Sequence, residues 1–184
     1  QAIAMDSTSG AARAAFAGAQ ALGSWEWKEA ELGFQQAVLR NPNAADVHSA
    51  YGLTCLLPQG KLEAAEYELR KSLEIDPYSF LASYAMAYTL LQQGKFNESI
   101  EQYQKTLRIA PNFDDAHWDL GMALAFAGRL EEAKAAFRAS EGVRGGKNWS
   151  PGAVEAALLG DKQLAIKLAP QMKEECLQAA RAYA

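Results

Sequence analysis

The chain has 184 residues, a formal net charge of −4, and only 6 prolines and 14 glycines. An alanine-rich, aliphatic composition with so little punctuation is that of a helical protein. Its mildly acidic, mixed charge argues against nucleic-acid binding, which needs clustered Lys and Arg, and no apolar run reaches the roughly 18 residues of a membrane span.

The first residues, QAIAMDSTSG, read as the end of a helix from a preceding repeat, with Ser7 where a proline is expected. Residues 1–9 are therefore assigned to a truncated repeat, and the chain is expected to be a piece of a longer array or larger protein. Its start has no basic stretch followed by an apolar one, so no signal peptide is read there. Pro42, Pro77 and Pro111 then set a period, with separations of 35 and 34 residues. Gly60 and Gly94 each stand 17 residues before the next of these prolines, and Gly128 continues the series. The stretches after these glycines align as GKLEAAEYEL, GKFNESIEQY and GRLEEAKAAF. Repeats are expected at 10–44, 45–79, 80–113 and 114–141. A first helix is predicted over 10–22, 45–57, 80–92 and 114–126, and a second over 27–40, 61–74, 96–109 and 130–141. Glycine permits the turn inside each hairpin, and proline separates one hairpin from the next.

Small residues at Ala30, Ala65, Ser99 and Ala133 let two helices approach, and Phe34, Leu69, Tyr103 and Phe137, four positions on, fill the space between them. A single hairpin cannot bury that face, so the hairpins stack. After the fourth repeat, EGVRGGKNWSPG (loop 142–150) breaks the helical period. Residues 151–184 are expected to form a degenerate hairpin with a turn at Gly160, followed by a capping helix with Met172, Cys176, Leu177, Ala180 and Tyr183 on one stripe. The alternative for that helix is a lid lying in a groove.

Ala30, Phe34, Ala37 and Pro42 resemble the tetratricopeptide-repeat pattern of small residue, aromatic, small residue, proline. So do Ala65, Leu69, Ser72 and Pro77, and Ser99, Tyr103, Thr106 and Pro111, while Tyr51-Gly52 and Leu120-Gly121 match the pair in the first helix. His48, Ser83 and His117 depart from the family's tryptophan there. The resemblance covers residues 1–141 and implies an all-α fold, a right-handed solenoid of stacked antiparallel helical hairpins that binds a protein or peptide. The stretch from Trp25 to Gly52 is also similar to arrays following effector domains in bacterial signalling and regulatory proteins.

The resemblance further implies that the first helices line a concave face. The inward positions are Asp46, Ser49, Leu53, Leu56 and Leu57 in the second repeat, then Leu81, Tyr84, Tyr88, Leu91 and Gln92 in the third. In the fourth they are Asp115, Trp118, Met122, Ala125 and Phe126. The ligand groove is expected at Ser49, Leu53, Leu56, Tyr84, Tyr88, Leu91, Asp115, Trp118, Met122 and Phe126. Helical spacing independently sets Tyr84, Tyr88 and Leu91 on one stripe and Trp118, Met122 and Ala125 on another. The Lys, Arg and Asn set with which the family clamps a C-terminal carboxylate is absent, which argues against a chaperone-tail adaptor. Adjacent aromatics suit a helix or an extended apolar peptide. Burial of the same aromatics by neighbouring helices is the competing reading.

No enzyme site is read. GVRGGKN lacks the spacing of a phosphate loop and the Ser or Thr after Lys147. His48 and His117 occupy equivalent repeat positions and are read as framework residues. No His or Cys cluster supplies a metal site, and no cofactor is expected. Cys55 and Cys176 are read as reduced packing thiols, so a cytoplasmic setting is expected over an exported one. The leading expectation is a non-enzymatic protein-interaction scaffold, and the alternative is a self-association module that forms a homodimer.

Overall fold

The computed structural model describes residues 26–144, together with 17, 18, 156, 160 and 163. The described helices are α1 (Trp27–Arg40), α2 (Ala45–Ala50, running on into a π-helical segment, Tyr51–Leu56), α3 (Leu62–Ile75), α4 (Phe80–Gln92), α5 (Phe96–Ile109), α6 (Asp114–Phe126) and α7 (Leu130–Arg144). No strand occurs among the described residues. α7 runs to Arg144, three residues past its expected end at 141 and into the loop expected over 142–150. The expectations for 1–9, the first helix at 10–22 apart from residues 17 and 18, the rest of that loop and the helices of 151–184, Cys176 included, lie outside the described residues. The isolated Gly160 has a φ of 81°, a left-handed value.

The chain divides into two units, residues 1–110 and 111–184. In the first unit, Ala30, Phe34, Ala37, Val47, Tyr51, Cys55, Leu56 and Ala65 form one core cluster. Leu69, Ala85, Met86 and Leu90 form another, and Leu57 packs against both. The small residues Ala30, Ala65 and Ser99 are fully buried, as are the large partners Phe34, Leu69 and Tyr103. That alternation lets each second helix sit close to its first. Hydroxyls close the seam where methyls are missing: Ser72 Oγ donates to the Ala45 carbonyl at 2.8 Å and Ser99 Oγ to the Ala87 carbonyl at 2.8 Å. In the second unit, Ala133 and Phe137 of α7 are buried in the same way. Phe137 lies so close to Gly121 of α6 that an added Cβ would stand 2.5 Å from its ring.

Each hairpin turn ends its first helix identically. Gly60, Gly94 and Gly128 have φ of 70°, 74° and 78°, values that cost glycine little. The following N–H groups of Lys61, Lys95 and Arg129 reach back to the carbonyls of Leu56, Leu90 and Leu124 at 3.1, 2.9 and 2.9 Å, the six-to-one bond that closes a helix around a left-handed glycine. Lysines at the start of α3 and α5 also tie successive second helices together: Lys61 pairs with Glu31, and Lys95 with Glu66 at 3.0 Å. Partial burial raises the Glu66 carboxyl, but donation from Lys95, Gln93 and Arg70 outweighs it and holds the group below its ordinary range.

Candidate functional site

α2 and α4 together wall a cavity of about 500 Å³. It is lined by Leu53, Leu57, Pro58 and Gly60 at the end of α2 and its turn, by Leu62 at the start of α3, and by Tyr84, Tyr88 and Gln92 along α4. Tyr84, Tyr88 and Gln92 are spaced four apart, so they rise along one face of α4. No lining residue carries a charge, and the polar tips are the two phenols and the Gln92 amide. A second cavity of about 370 Å³ is different in kind. It is lined by Arg70, Glu74, Glu98, Glu101 and Lys105 beside Leu73, Met86, Leu90 and Gln102, and contains none of the expected groove residues.

Of the expected groove, the first unit brings Leu53, Tyr84 and Tyr88 to one cavity. Ser49 is 9% exposed and its hydroxyl donates to the Asp46 carbonyl at 3.0 Å, a bond within its own helix. Leu91 is 8% exposed and does not line the cavity. Leu56 is 2% exposed and belongs to the core; Leu57, the next residue, lines the cavity in its stead. Tyr84 is only half-buried, yet its ring also packs against Tyr103 of the same hairpin at 6.0 Å, tilted by 57°.

In the second unit, Asp115 is exposed, Trp118 and Met122 are half-buried, and Phe126 is 48% exposed. Trp118 packs on Phe137 at 4.6 Å, tilted by 45°. The aromatics at this repeat position thus serve the hairpin's own packing while keeping part of their surface open. Pro58, Gly60 and Leu62, which are not among the expected groove residues, also line the cavity.

Among the described residues no group of three or more His, Cys, Asp or Glu side chains stands together to hold a metal ion, and no helix is long and apolar enough to cross a membrane. His48 and His117 do framework work. His48 Nε2 donates to the Pro42 carbonyl at 3.0 Å, and His117 Nε2 to the Pro111 carbonyl at 2.8 Å.

Sequence models of the tetratricopeptide repeat match residues 21–80 and 114–144, and one described as a TPR repeat matches 87–125. The chain belongs to the tetratricopeptide-repeat family. It is similar to the tetratricopeptide repeat and J domain-containing co-chaperone DNJ1 of Cryptococcus neoformans var. grubii, at 29% identity over 93 residues, which is 50% of this chain and 17% of that protein. The protein of the same name from Fusarium oxysporum f. sp. lycopersici is 28% identical over 126 residues, 66% of this chain and 23% of that protein. The chain therefore spans less than a quarter of the length of these curated relatives. Among solved structures it resembles PilW, a type IV pilus biogenesis factor (TM-score 0.78, 21% identity, 99% of this chain and 82% of that one). It also resembles MamA (0.69, 19%, 79% and 84%) and YrrB (0.68, 19%, 92% and 88%), the last described as a TPR protein with an unusual peptide-binding site. These likenesses establish the fold class as the all-α tetratricopeptide solenoid. Proteins of this class are in general scaffolds for protein contacts.

Proposed function

We propose that the chain is a non-enzymatic scaffold that holds a peptide or helix of a partner protein along its first-helix face, with the cavity between α2 and α4 as the anchoring point. The observation that carries this reading is the uncharged cup lined by Leu53, Leu57, Tyr84 and Tyr88. Apolar walls with a few polar tips favour a peptide side chain leaving water and orient its backbone. Within the second unit, Trp118, Met122 and Phe126 keep exposed area on the equivalent helix, and the proposal assigns them ligand contacts there. It places the array in a longer protein of regulatory role, in keeping with the small share of its relatives that it spans. It also takes a reducing, cytoplasmic setting, in keeping with the free, buried thiol of Cys55.

The test is a peptide-array screen of the chain beside a Tyr84→Ala, Tyr88→Ala, Trp118→Ala variant of unchanged helicity. The intact chain is expected to select a peptide class that the variant loses; equal binding by both rejects the face. A second reading, self-association, is favoured by Leu32 and Leu39, which lie two turns apart on α1 and are 56% and 82% exposed. A mass that stays monomeric from micromolar to millimolar concentration rejects it.

A further inference from the structure

α2 and α4 occupy equivalent places in consecutive hairpins, but the segment from proline to turn glycine that contains α2 is one residue longer. Pro42 and Gly60 are 18 residues apart, whereas Pro77 and Gly94, and Pro111 and Gly128, are 17 apart. From the prolines forward the two helices run in step as far as Gly52, which matches Ala87. Beyond it the buried residues match only when counted back from the turn glycine, Cys55 with Thr89 and Leu56 with Leu90. The extra residue is therefore Leu53 or Thr54. The π-helical segment is where the helix takes it in, with the Leu57 N–H donating to the Gly52 carbonyl at 2.9 Å, five residues back. Pro58 is a second cause. It stands where α4 has Gln92, its last residue, and a proline there in a regular helix collides with the carbonyl four residues before it.

The wide turn ends against the cup, and both of its consequences are wall residues: Leu53 at the insertion, and Leu57 with Pro58 just after it. The geometry points to the π turn as the specificity-determining element of this site. It shapes the α2 wall to take an apolar anchor side chain from an uncharged segment of a partner peptide, an inference that rests on the reading of the cup as a peptide site. The chemistry follows from the lining. A charged side chain would enter a space without a countercharge among its eight lining residues, whereas an apolar one meets Leu53, Leu57, Pro58 and Leu62 on one side and two phenol rings on the other. The Tyr88 phenol and the Gln92 amide remain to donate to peptide carbonyls.

The experiment selects binders to the full chain from a phage-displayed random dodecapeptide library. The best peptide is then measured by calorimetry against three forms: the unaltered chain, Tyr88→Ala, and a chain lacking Leu53 and carrying Pro58→Gln, which restores the 17-residue spacing. Peptides with an apolar anchor flanked by uncharged residues are expected, with affinity falling about tenfold or more in both altered chains. Loss in Tyr88→Ala with full binding by the shortened chain leaves the peptide site standing and overturns the role of the π turn. Undiminished binding by Tyr88→Ala overturns both, and selection of charged anchors overturns the inferred ligand chemistry. Should the shortened chain fail to fold, Leu57→Ala in the full-length chain decides: the same loss supports the inference, and unaltered affinity overturns it.

Discussion

The hairpin of α2 and α3 and the hairpin of α4 and α5 solve one packing problem with different atoms. Where the first helix meets the second, α2 offers His48, whose Nδ1 lies 2.6 Å from Glu68 Oε2. At the matching place α4 offers Ser83, whose hydroxyl accepts from Gln102 Nε2 and Thr106 Oγ1, each at 2.9 Å. One turn further, α2 has Gly52 under Leu69, and α4 has the buried Ala87, whose carbonyl accepts from Ser99 Oγ. The repeat thus requires a bridged seam and a close approach at these levels, and it leaves the chemistry of each open. Each solution is a matched set, so residues are not freely exchangeable between hairpins.

Altering the close approach breaks the equivalence most strongly. A Cβ at Gly121 would stand 2.5 Å from the buried Phe137 ring, and one at Gly52 would stand 2.8 Å from Leu69 Cγ. Gly121→Ala is expected to cost about 2–3 kcal/mol and Gly52→Ala somewhat less, read as shifts in urea midpoint, even though alanine is the better helix former. A wild-type midpoint for Gly121→Ala would show that Phe137 yields. Next comes the bridge. Glu68→Ala leaves His48, 4% exposed, without its carboxylate partner and is expected to cost about 1–2 kcal/mol. Gln102→Ala leaves Ser83 still bonded to Thr106 and is expected to cost less. Equal costs would mean that the two seams are interchangeable after all.

The smallest effect is a pH dependence carried by two groups of the first hairpin, Tyr51 and Cys55. Burial pushes the Tyr51 phenol up to about 12, with donation from Gln35 opposing it, and pushes the Cys55 thiol up to about 11. The unfolded chain releases these protons first, from the ordinary values of 10.0 and 9.0. Stability from these groups is therefore complete below about pH 9 and is lost as pH rises from there toward 12. Met86 and Thr89, at the matching places of α4, have no such proton to lose. A Tyr51→Phe, Cys55→Ala chain should show a shallower alkaline decline in urea midpoint than the unaltered chain, and parallel declines would remove this contribution.

Much of this was legible in the sequence because repetition multiplies weak signals. Helices expected over 80–92, 96–109 and 114–126 are observed at Phe80–Gln92, Phe96–Ile109 and Asp114–Phe126. Each is bracketed by a proline and a left-handed glycine whose conformational demands are local. α2 departs from the regular helix expected over 45–57. The family's inward repeat positions imply Leu56 in the groove, but with the extra residue it lies in the core. The spacing of 35 against 34 carried that signal, although only the position of the wide turn shows which side chains move. The pairing of Trp118 with Phe137, or of His48 with Glu68, was not legible either: periodicity assigns a residue to a face, and the neighbour across that face comes from tertiary packing.

The identical closures at Gly60, Gly94 and Gly128 bear on how such an array tolerates change. A residue added inside α2 is absorbed before the Lys61 N–H reaches the Leu56 carbonyl, so α3 starts in the register that α5 and α7 also keep. Insertions and deletions of single residues, usually ruinous within a helix, are here confined to one turn. Chain length can therefore vary beside the α2–α4 cavity while the register of the next helix stays the same.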